Sequence, residues 1–224
     1  MKLSIIIPVY NEEKTIEEVI RKVINLPLGL EKELIVISDG STDRTNQILR
    51  GLKEELGFIL LIHEKNQGKG AALRTGIDAV SGEAVIVQDA DLEYNPENWE
   101  EMFREFDQNS AVYGSRNINP QRKGYSRYVF GAWLLTAINN LLFSSKLTDT
   151  YTCYKLLPAK LLRSLDLKSD GFEIEAEMTA KLLKEGVPIK EVPIEYYPRK
   201  FNQGKKIRFK DGIIGLWTIL RCRF

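Results

Sequence analysis

Residues 84–93 read Ala-Val-Ile-Val-Gln-Asp-Ala-Asp-Leu-Glu. The first five predict a short buried strand, because most of them are apolar. Asp89, Asp91 and Glu93 then occupy alternate positions, and alternate side chains of extended backbone point to one side. Three carboxylates that face one point need a cation, and oxygen ligands suit Mg²⁺ or Mn²⁺. The alternative for a triplet of this kind is an acid-rich surface turn.

The residues before this stretch repeat the same pattern three times. A short β-rich apolar run is followed each time by a helical pattern, which is typical of a parallel α/β sheet. The predicted strands cover residues 3–9, 34–38 and 58–63. The first and third predicted helices cover residues 12–23 and 68–80. The second predicted helix is capped by Ser41 or Asp43 and ends at residue 49.

The second half of the chain is less regular. It predicts helices at residues 96–106 and 172–185, strands at 111–114 and 190–197, and an apolar stretch at 128–147. The 224 residues are 43% hydrophobic and 28% charged, enough for one sizeable core with a charged surface. One α/β domain is therefore expected.

Four junctions between a predicted strand and the next helix or turn collect polar residues. They are Tyr10-Asn11-Glu12, Asp39-Gly40-Ser41, Asn66-Gln67-Gly68-Lys69-Gly70 and Asp89-Ala90-Asp91. In an open parallel sheet, ligands bind at the carboxyl ends of the strands. We therefore expect a binding site at this edge of the sheet.

The Gly68-Lys69-Gly70 junction raises the question of a phosphate cradle. It lacks the G-x-x-x-x-G-K-[ST] pattern, which excludes a P-loop nucleotide triphosphatase. Two explanations stay open: a helix start whose backbone amides face an anion, or a tight turn from strand to helix.

Composition also bears on location. No segment reaches the roughly 18 to 20 apolar residues of a membrane-spanning helix, and the first residues lack a signal-peptide pattern. We therefore expect a cytoplasmic protein. Cys153 and Cys222 lie far apart without metal-ligand spacing, so reduced thiols are expected.

The formal net charge of +1 is unevenly distributed. Residues 199–224 hold eight Lys or Arg and one Asp, and residues 116–127 hold four and no acid. Such stretches favour anionic ligands, although a solvated surface is the alternative. The near-neutral total, together with the acidic triplet, argues against nucleic-acid binding.

Seven short motifs, in this order, resemble family 2 glycosyltransferases of the GT-A fold. Four are Ile-Ile-Pro-Val-Tyr-Asn-Glu at 6–12, Ser-Asp-Gly-Ser-Thr-Asp at 38–43, Asn-Gln-Gly-Lys-Gly at 66–70 and Asp-Ala-Asp-Leu-Glu at 89–93. The others lie at residues 147–155, at 171–177 and at Tyr-Tyr-Pro-Arg with Gln-Gly-Lys-Lys-Ile downstream, and they are similar to the dolichol- and polyprenyl-phosphate sugar synthases. The resemblance covers almost the whole chain.

The resemblance implies a set of donor-binding residues: Pro8, Tyr10, Glu12, Ile37, Asp39, Lys69, Asp89, Ala90, Asp91, Arg116, Arg199 and Lys205. Within this set, Glu12 accepts a hydrogen bond from ribose, whereas Ile37 and Asp39 line the base pocket. The implied metal ligands are Asp89, Asp91 and Glu93, for Mg²⁺ or Mn²⁺. Asp91, Arg116 and Arg199 are the implied catalytic residues, because metal and guanidinium groups stabilise a departing nucleoside diphosphate.

The resemblance also implies a polyprenyl phosphate acceptor. A phosphate monoester with a second pKa near ~6 is largely dianionic at neutral pH, so it needs no catalytic base. Arg122 and Arg127 are the candidates for its phosphate. Asp149 and Glu175 are candidates for sugar hydroxyls. The alternative for residues 173–177 is that they are the exposed first turns of a helix.

A lipid acceptor requires contact with a membrane. We expect a GT-A domain at residues 1–206 and a basic amphipathic segment at 207–224, which with the apolar stretch at 128–147 suits the cytoplasmic face of a membrane. Core or dimer packing is the alternative. A separate membrane-anchoring partner is also compatible with this composition.

These observations lead to one hypothesis and two alternatives. The hypothesis is a metal-dependent inverting transferase that moves a mannose- or glucose-like sugar from a nucleoside diphosphate to polyprenyl or dolichyl phosphate. The alternatives are transfer to a glycan hydroxyl and a nucleotide-sugar-binding subunit of a membrane complex. Many mannosyl members have Gln where this chain has Glu93, so the base (GDP or UDP) and the sugar stay open.

Overall fold

The computed structural model describes residues 1–118, 126–199 and 209–224, with backbone alone for residues 126–128 and 209. The strands are β1 (Lys2–Val9), β2 (Glu31–Asp39), β3 (Ile59–His63), β4 (Ala84–Val87), β5 (Ala111–Ser115), β6 (Lys155–Pro158) and β7 (Ile189–Pro193). The helices are α1 (Ile16–Asn25), α2 (Thr45–Leu56), α3 (Lys69–Ala79), α4 (Trp99–Glu105), α5 (Ser126–Phe143), α6 (Ala159–Ser164), α7 (Ile174–Lys184) and α8 (Phe209–Arg223). A 3₁₀ turn at Pro96–Asn98 precedes α4.

The described strands form one sheet in the order β3-β2-β1-β4-β6-β5-β7. All neighbours pair in parallel except β6, which is antiparallel to both β4 and β5. The predicted α/β class is confirmed. The strand order reverses between β1 and β4, and this reversal opens a crevice at their carboxyl ends.

The predicted strands and helices of the first half are present, but several boundaries differ. β2 begins at Glu31 rather than at residue 34, and α2 continues to Leu56 rather than ending at residue 49. The α1 helix begins at Ile16 rather than at residue 12, because the Glu12 carbonyl accepts hydrogen bonds from the Thr15 and Ile16 amides and closes a turn there. The Asp43 carboxylate accepts a 2.9 Å bond from the Thr45 amide at the start of α2. Of the two predicted caps, Asp43 is therefore the one that binds the helix start.

The second half contains elements that the sequence did not reveal. β6 and α6 are only four and six residues long, and a fully buried lysine, Lys155, opens β6. β7 ends at Pro193, short of the predicted residue 197. Beyond it, the chain crosses to the neighbouring loop, where Tyr196 forms an antiparallel bridge with Tyr94.

The Gly68-Lys69-Gly70 junction packs tightly against another loop. Gly68 has φ +106°, and a Cβ on it would lie 2.3 Å from the Asp170 carbonyl oxygen. A Cβ on Gly70 would lie 2.3 Å from the Ser169 carbonyl oxygen. Both positions therefore require glycine. The contacts support the tight-turn explanation for these two glycines.

Helices α5, α7 and α8 pack together beside the sheet. Leu135, Ala176 and Ile219 form their shared buried cluster. Cys153 and Cys222 are buried free thiols, as predicted. Within the described ranges, none of the helices combines the length and apolar character needed to cross a membrane.

Candidate functional site

The carboxyl ends of β1, β2 and β4 bring the predicted junction residues to one edge of the sheet. Pro8 pairs in register with Ile37, and β1 also pairs with β4, so Glu12 and Asp91 follow neighbouring strands. The chain turns after β4, and Leu92 adopts φ +60°. The predicted extended backbone at residues 89–93 is therefore wrong, and the three acids do not share one side of a strand.

One guanidinium, that of Arg199, joins acids from two of these junctions. Arg199 Nη1 donates to Glu12 Oε2 at 2.9 Å, and Nη2 donates to Asp91 Oδ2 at 2.8 Å. Its Nε lies 3.6 Å from Glu93 Oε1. The Arg199 side chain is 17% exposed. Glu12, Asp91 and Arg199, which the resemblance assigns to the donor, therefore lie in contact at this edge.

Glu93 holds the segment that carries Arg199. Its Oε1 accepts a 2.8 Å bond from the Arg199 amide, and its Oε2 accepts a 2.5 Å bond from the Tyr196 hydroxyl. The Tyr197 amide donates to the Glu93 carbonyl oxygen at 2.9 Å. Segment 194–199 is thus fixed beside residues 93–94, and both Glu93 carboxylate oxygens are occupied.

The negative charge around Asp91 exceeds the positive charge of its partner, Arg199. Burial, followed by the charges of Asp89 and Glu93, raises the pKa of Asp91 to about 7, although Arg199 acts in the opposite direction. Burial is the largest cause, and the neighbouring carboxylates add to it, so the Arg199 guanidinium alone does not offset the negative charge around Asp91. The surplus fits an added cation.

Asp89 begins a line of alternating charges that runs into the interior. Lys69 Nζ lies 2.8 Å from Asp89 Oδ1 and 3.1 Å from Glu175 Oε1. The other Glu175 oxygen accepts a bond from fully buried Lys155. Burial opposes ionisation of Asp89, but the Lys69 ammonium outweighs it and lowers the pKa of Asp89. Glu175 is only 5% exposed, so an exposed first turn does not explain this residue.

Arg116 and Asp149 form a second buried ion pair. Arg116 Nε donates to Asp149 Oδ2 at 2.6 Å, and Nη2 donates to Oδ1 at 2.8 Å. The Arg116 guanidinium also lies 5.0 Å from the centre of the Tyr196 ring. Asp149 is 1% exposed, so the predicted contact of this carboxylate with sugar hydroxyls does not fit its position. Its role is to hold Arg116.

Two residues predicted for the base pocket lie deeper than expected. The Ile37 side chain is fully buried beneath α3, where a Cβ on Gly76 would meet it at 2.9 Å, so it supports the sheet. Asp39 is 2% exposed and its carboxylate binds the turn that precedes Lys69. The assignment of Ile37 and Asp39 to the base pocket stays a prediction.

The remaining predicted donor residues lie at the edge itself. Pro8 lies near the carboxyl end of β1, and Tyr10 is the first residue after this strand. The Ala90 carbonyl oxygen accepts a 2.7 Å bond from the Thr15 hydroxyl, which ties the acidic loop to the start of α1. Arg122, Lys205 and the Arg127 side chain lie outside the described residues.

The predicted metal ligands fit the role unequally. In the part of the chain that the structure describes, no three Asp, Glu, His or Cys residues are arranged to hold a metal ion. Asp89 and Asp91 follow the same strand and supply oxygen ligands at the place where positive charge is lacking. Glu93 is occupied by Tyr196 and the Arg199 amide. The oxygen ligands of Asp89 and Asp91 therefore fit a divalent ion, whereas Glu93 supports the segment that carries Arg199.

An open groove of about 860 Å³ lies between α1 and residues 92–97. Leu92 and Tyr197 line it, but none of the described donor residues does. The charged edge described above is therefore defined by its ion pairs and not by a deep cavity.

Two supporting residues were quoted within motifs but had no predicted role. Tyr196 binds Glu93 and stacks under Arg116, and Lys155 neutralises Glu175. A signal for Lys155 exists, since a lysine inside the apolar run that follows Thr152 predicts a buried partner. Tyr196 carried no comparable signal, because its contacts come from elements distant in sequence.

Known proteins share these features. Residues 4–165 match the family model for glycosyl transferase family 2. The chain belongs to glycosyl transferase family 2. The resemblance found in the sequence is confirmed, and this family 2 chain is a transferase enzyme.

Three relatives cover much of the chain. An uncharacterized protein of Methanocaldococcus jannaschii is 30% identical over 98% of this chain and 91% of its own length. The undecaprenyl-phosphate 4-deoxy-4-formamido-L-arabinose transferase of Edwardsiella ictaluri is 27% identical over 99% of this chain and 69% of its own length. The dolichol-phosphate mannosyltransferase of Pyrococcus furiosus is 26% identical over 81% of this chain. The match covers 53% of that enzyme's own length.

Solved structures share the fold. Glucosyl-3-phosphoglycerate synthase from Mycobacterium tuberculosis superposes with a TM-score of 0.76 at 22% identity, over 99% of this chain and 80% of that one. TarS from S. aureus gives a TM-score of 0.64 at 19% identity, over 99% and 66%. The predicted GT-A fold of this family 2 member is confirmed.

The raised pKa of Asp91 predicts a pH-dependent stability. Its folded-state pKa of about 7 exceeds the ordinary Asp value near ~3.9, so the folded state holds a proton that the unfolded state loses between these limits. Stability therefore falls as pH rises through this window. Asp91→Asn should raise the free energy of unfolding at about pH 8, by on the order of 1 to 3 kcal/mol, and change it little at about pH 5.

Urea unfolding at the two pH values measures this difference. The matched control is Asp78→Asn, the same change at an exposed acid of α3, which should show no pH-dependent effect. A variant Asp91→Asn that is less stable than the parent at high pH would contradict the assignment of surplus negative charge.

Proposed function

We propose that this family 2 glycosyltransferase moves a sugar from a nucleoside diphosphate to a polyprenyl phosphate, with a divalent cation. The observation that carries the proposal is the convergence of Glu12, Asp91 and Arg199 at the carboxyl edge of β1 and β4. The names of two relatives, which specify undecaprenyl phosphate and dolichol phosphate, support the acceptor class.

The donor half of the site is assigned to the edge residues. Glu12 would accept a hydrogen bond from a ribose hydroxyl, and Tyr10 and Pro8 would border the nucleoside. Asp89 and Asp91 would hold Mg²⁺ or Mn²⁺. Such an ion, when bound, supplies positive charge to the diphosphate of the leaving group. Solved glucosyl-3-phosphoglycerate synthase complexes with UDP and either Mn²⁺ or Mg²⁺ support a donor of this chemistry.

Arg199 is assigned to the leaving group. Its guanidinium contacts Glu12 and Asp91 in the present structure, and guanidinium groups also form charge-assisted, often bidentate bonds with phosphate oxygens. Lys205, six residues onward, is proposed to join it. Arg116 is proposed to face the phosphates from the side, since Asp149 and the Tyr196 ring fix its guanidinium. These cations stabilise negative charge that accumulates as the sugar leaves.

The donor sugar is assigned to the start of the buried charge line. Lys69 and Glu175 lie 3.1 Å apart, and Lys69 also contacts Asp89, the proposed metal ligand. The ammonium can donate a hydrogen bond to one hydroxyl group of a hexose, and the carboxylate can accept a hydrogen bond from a neighbouring hydroxyl. Buried Lys155 contacts the other Glu175 oxygen and holds this carboxylate in place from beneath.

The acceptor phosphate needs no deprotonation at neutral pH, as argued above. Its attack on the anomeric carbon would invert the configuration there. Arg122 and Arg127 are proposed to bind this phosphate, because they belong to a basic stretch without an acid. The enzyme's task is then to place two anionic groups close together and to offset their repulsion.

A transfer assay tests the proposal. Purified protein is incubated with Mn²⁺, polyprenyl phosphate and a panel of labelled GDP- and UDP-sugars, and lipid-extractable label is counted. We expect label from at least one donor, and loss of at least about a hundredfold in Asp91→Ala, because removal of one charged contact to a transition state has an effect of this order. EDTA should have a similar effect.

The control variant is Glu54→Gln, which changes an exposed acid of α2 and should keep full activity. Absence of lipid-soluble label from every donor would contradict the proposed acceptor. Label that appears on an added oligosaccharide would instead identify a hydroxyl acceptor, and donor binding without any transfer would identify a binding subunit.

A lipid acceptor also requires a membrane-facing surface, and we propose that α5 and α8 provide it. Their outer faces expose large apolar side chains: Phe130, Trp133, Leu134 and Leu141 on α5, and Ile213, Ile214 and Trp217 on α8. Trp133 is 57% exposed and Trp217 is 65% exposed. Together they form an apolar surface across two packed helices.

The charges around this surface favour an anionic membrane. Lys210 and Arg221 are exposed at opposite ends of α8, and Arg223 lies 5.6 Å from the Phe143 ring. Aromatic and aliphatic side chains flanked by basic residues are typical of interfacial helices on anionic lipid. The proposed position is therefore peripheral, with the acceptor phosphate presented at the lipid surface.

Vesicle flotation tests this surface. Vesicles of phosphatidylcholine with phosphatidylglycerol should bind the protein, and Trp133→Ser with Trp217→Ser should weaken binding about tenfold or more, because two anchoring side chains are lost. Ile59→Ser on β3, away from this surface and also exposed, is the control. Unchanged vesicle binding, with a dimer that the double variant dissociates, would show a protein interface instead.

A further inference from the structure

The Arg199 guanidinium lies against the same carboxylates that are assigned to the ligands of this site. Its terminal nitrogens each donate to Glu12 Oε1 at 3.1 Å, and Nη1 also donates to Glu12 Oε2 at 2.9 Å. Nη2 donates to Asp91 Oδ2 at 2.8 Å. Glu12 is the residue assigned to ribose, and Asp91 is a proposed metal ligand. A cation of the chain itself therefore occupies oxygens that the donor and its metal ion would use.

The other oxygen of Asp91 has a partner too. Oδ1 accepts a 3.2 Å bond from the Glu93 amide. A metal ion could still approach Oδ2 through its second lone pair, but it would then lie beside the Arg199 guanidinium. Like charges at such short separations repel each other. A divalent ion at Asp91 would therefore compete with Arg199 for this carboxylate.

The guanidinium is not fully satisfied in its present position. Its Nε is buried, and the described residues provide it with no hydrogen-bond acceptor, since Glu93 Oε1 lies 3.6 Å away. A buried donor without a partner is costly. The Arg199 amide is held separately, by its 2.8 Å bond to Glu93 Oε1. The side chain can therefore rotate away from the acids while its backbone stays in place.

We propose that Arg199 is a specificity-determining residue, which keeps free divalent ions from the acidic edge of Glu12, Asp89 and Asp91 and admits the ion only together with a nucleoside diphosphate. The proposal rests on the proposed function, in which Arg199 binds the diphosphate. It adds that the same arginine takes the place of the metal ion when no donor is bound.

The difference between the two ligands lies in what each offers the guanidinium. A free divalent ion brings a like charge and no new hydrogen-bond acceptor. A diphosphate brings negative charge and several oxygens, so the guanidinium can exchange its two carboxylates for phosphate oxygens while the metal ion binds Asp91. Arg199 thus couples binding of the ion to binding of the diphosphate.

Manganese binding without any nucleotide tests this coupling. Free Mn²⁺ is counted by its electron paramagnetic resonance signal during a titration. Arg199→Met removes the charge and keeps much of the side-chain volume. It should bind Mn²⁺ about tenfold more tightly than the parent, because the ion no longer displaces a charge-assisted hydrogen bond. With UDP or GDP, whichever the parent binds, the variant should bind the nucleotide about tenfold more weakly, because a phosphate partner is lost. General damage to the fold would not give changes of opposite sign.

Two further variants separate occupation of the site from overall charge. Arg199→Lys keeps the positive charge, but a compact ammonium does not reproduce the guanidinium fork that bonds both acids. Its Mn²⁺ affinity should therefore lie between those of the parent and Arg199→Met. Arg104→Met removes an exposed arginine of α4 that pairs with Glu100, and it should bind Mn²⁺ as the parent does.

Thermal unfolding covers the case in which Arg199→Met is unstable. Without metal ion, this variant leaves Glu12 and Asp91 without their shared cation, so it should unfold at a lower temperature than the parent. Mn²⁺ should raise the unfolding midpoint of the variant more than that of the parent, because an ion that binds only the folded chain stabilises it more as its affinity rises.

Two results would overturn the proposal. One is Mn²⁺ binding to Arg199→Met that is no tighter than to the parent, and the other is an Arg199→Lys variant that binds Mn²⁺ only as the parent does. If the parent binds no nucleotide with Mn²⁺, the proposed function fails, and the Mn²⁺ affinities of the parent and Arg199→Met still decide whether Arg199 competes with the ion.

Discussion

The site depends on one guanidinium that is shared by acids from separate parts of the chain. Arg199 joins Glu12, which follows β1, to Asp91, which follows β4, while Glu93 holds the Arg199 backbone. Like-charged carboxylates this close would repel each other without a cation between them. The Arg199 guanidinium therefore stabilises the arrangement in which the carboxyl ends of β1 and β4 form one acidic edge, and the surplus charge at Asp91 leaves room for a further cation.

Two further ion pairs extend this edge into the interior. Lys155 with Glu175 and Arg116 with Asp149 are buried, and removing one partner of such a pair typically costs about 3 to 5 kcal/mol. Hydrophobic residues of similar size would often be as stable. Charged groups at these positions agree with the proposed function, in which they orient Lys69 and Arg116 towards the donor.

The sequence predicted most of the first half of the fold, because each strand and helix there carries its own local pattern. Glu12, Asp91 and Arg199 belong to predicted motifs and lie in contact, whereas Asp89 pairs with Lys69. Contacts between distant residues were not predictable: the pairing of Arg116 with Asp149 depends on how β5 and a loop over thirty residues later pack. The turn at Leu92, which moves Glu93 away from its expected direction, depends on a backbone angle that leucine rarely adopts.

The central claim is that the acidic edge binds a nucleoside diphosphate together with a divalent cation. Calorimetric titration of the protein with UDP and with GDP, each with Mn²⁺ and then with EDTA, tests it most directly. The account predicts that at least one nucleotide binds with Mn²⁺, that EDTA abolishes this binding, and that the preferred nucleotide identifies the base of the donor. Binding that is equally tight in EDTA, or no binding of either nucleotide with Mn²⁺, would contradict it.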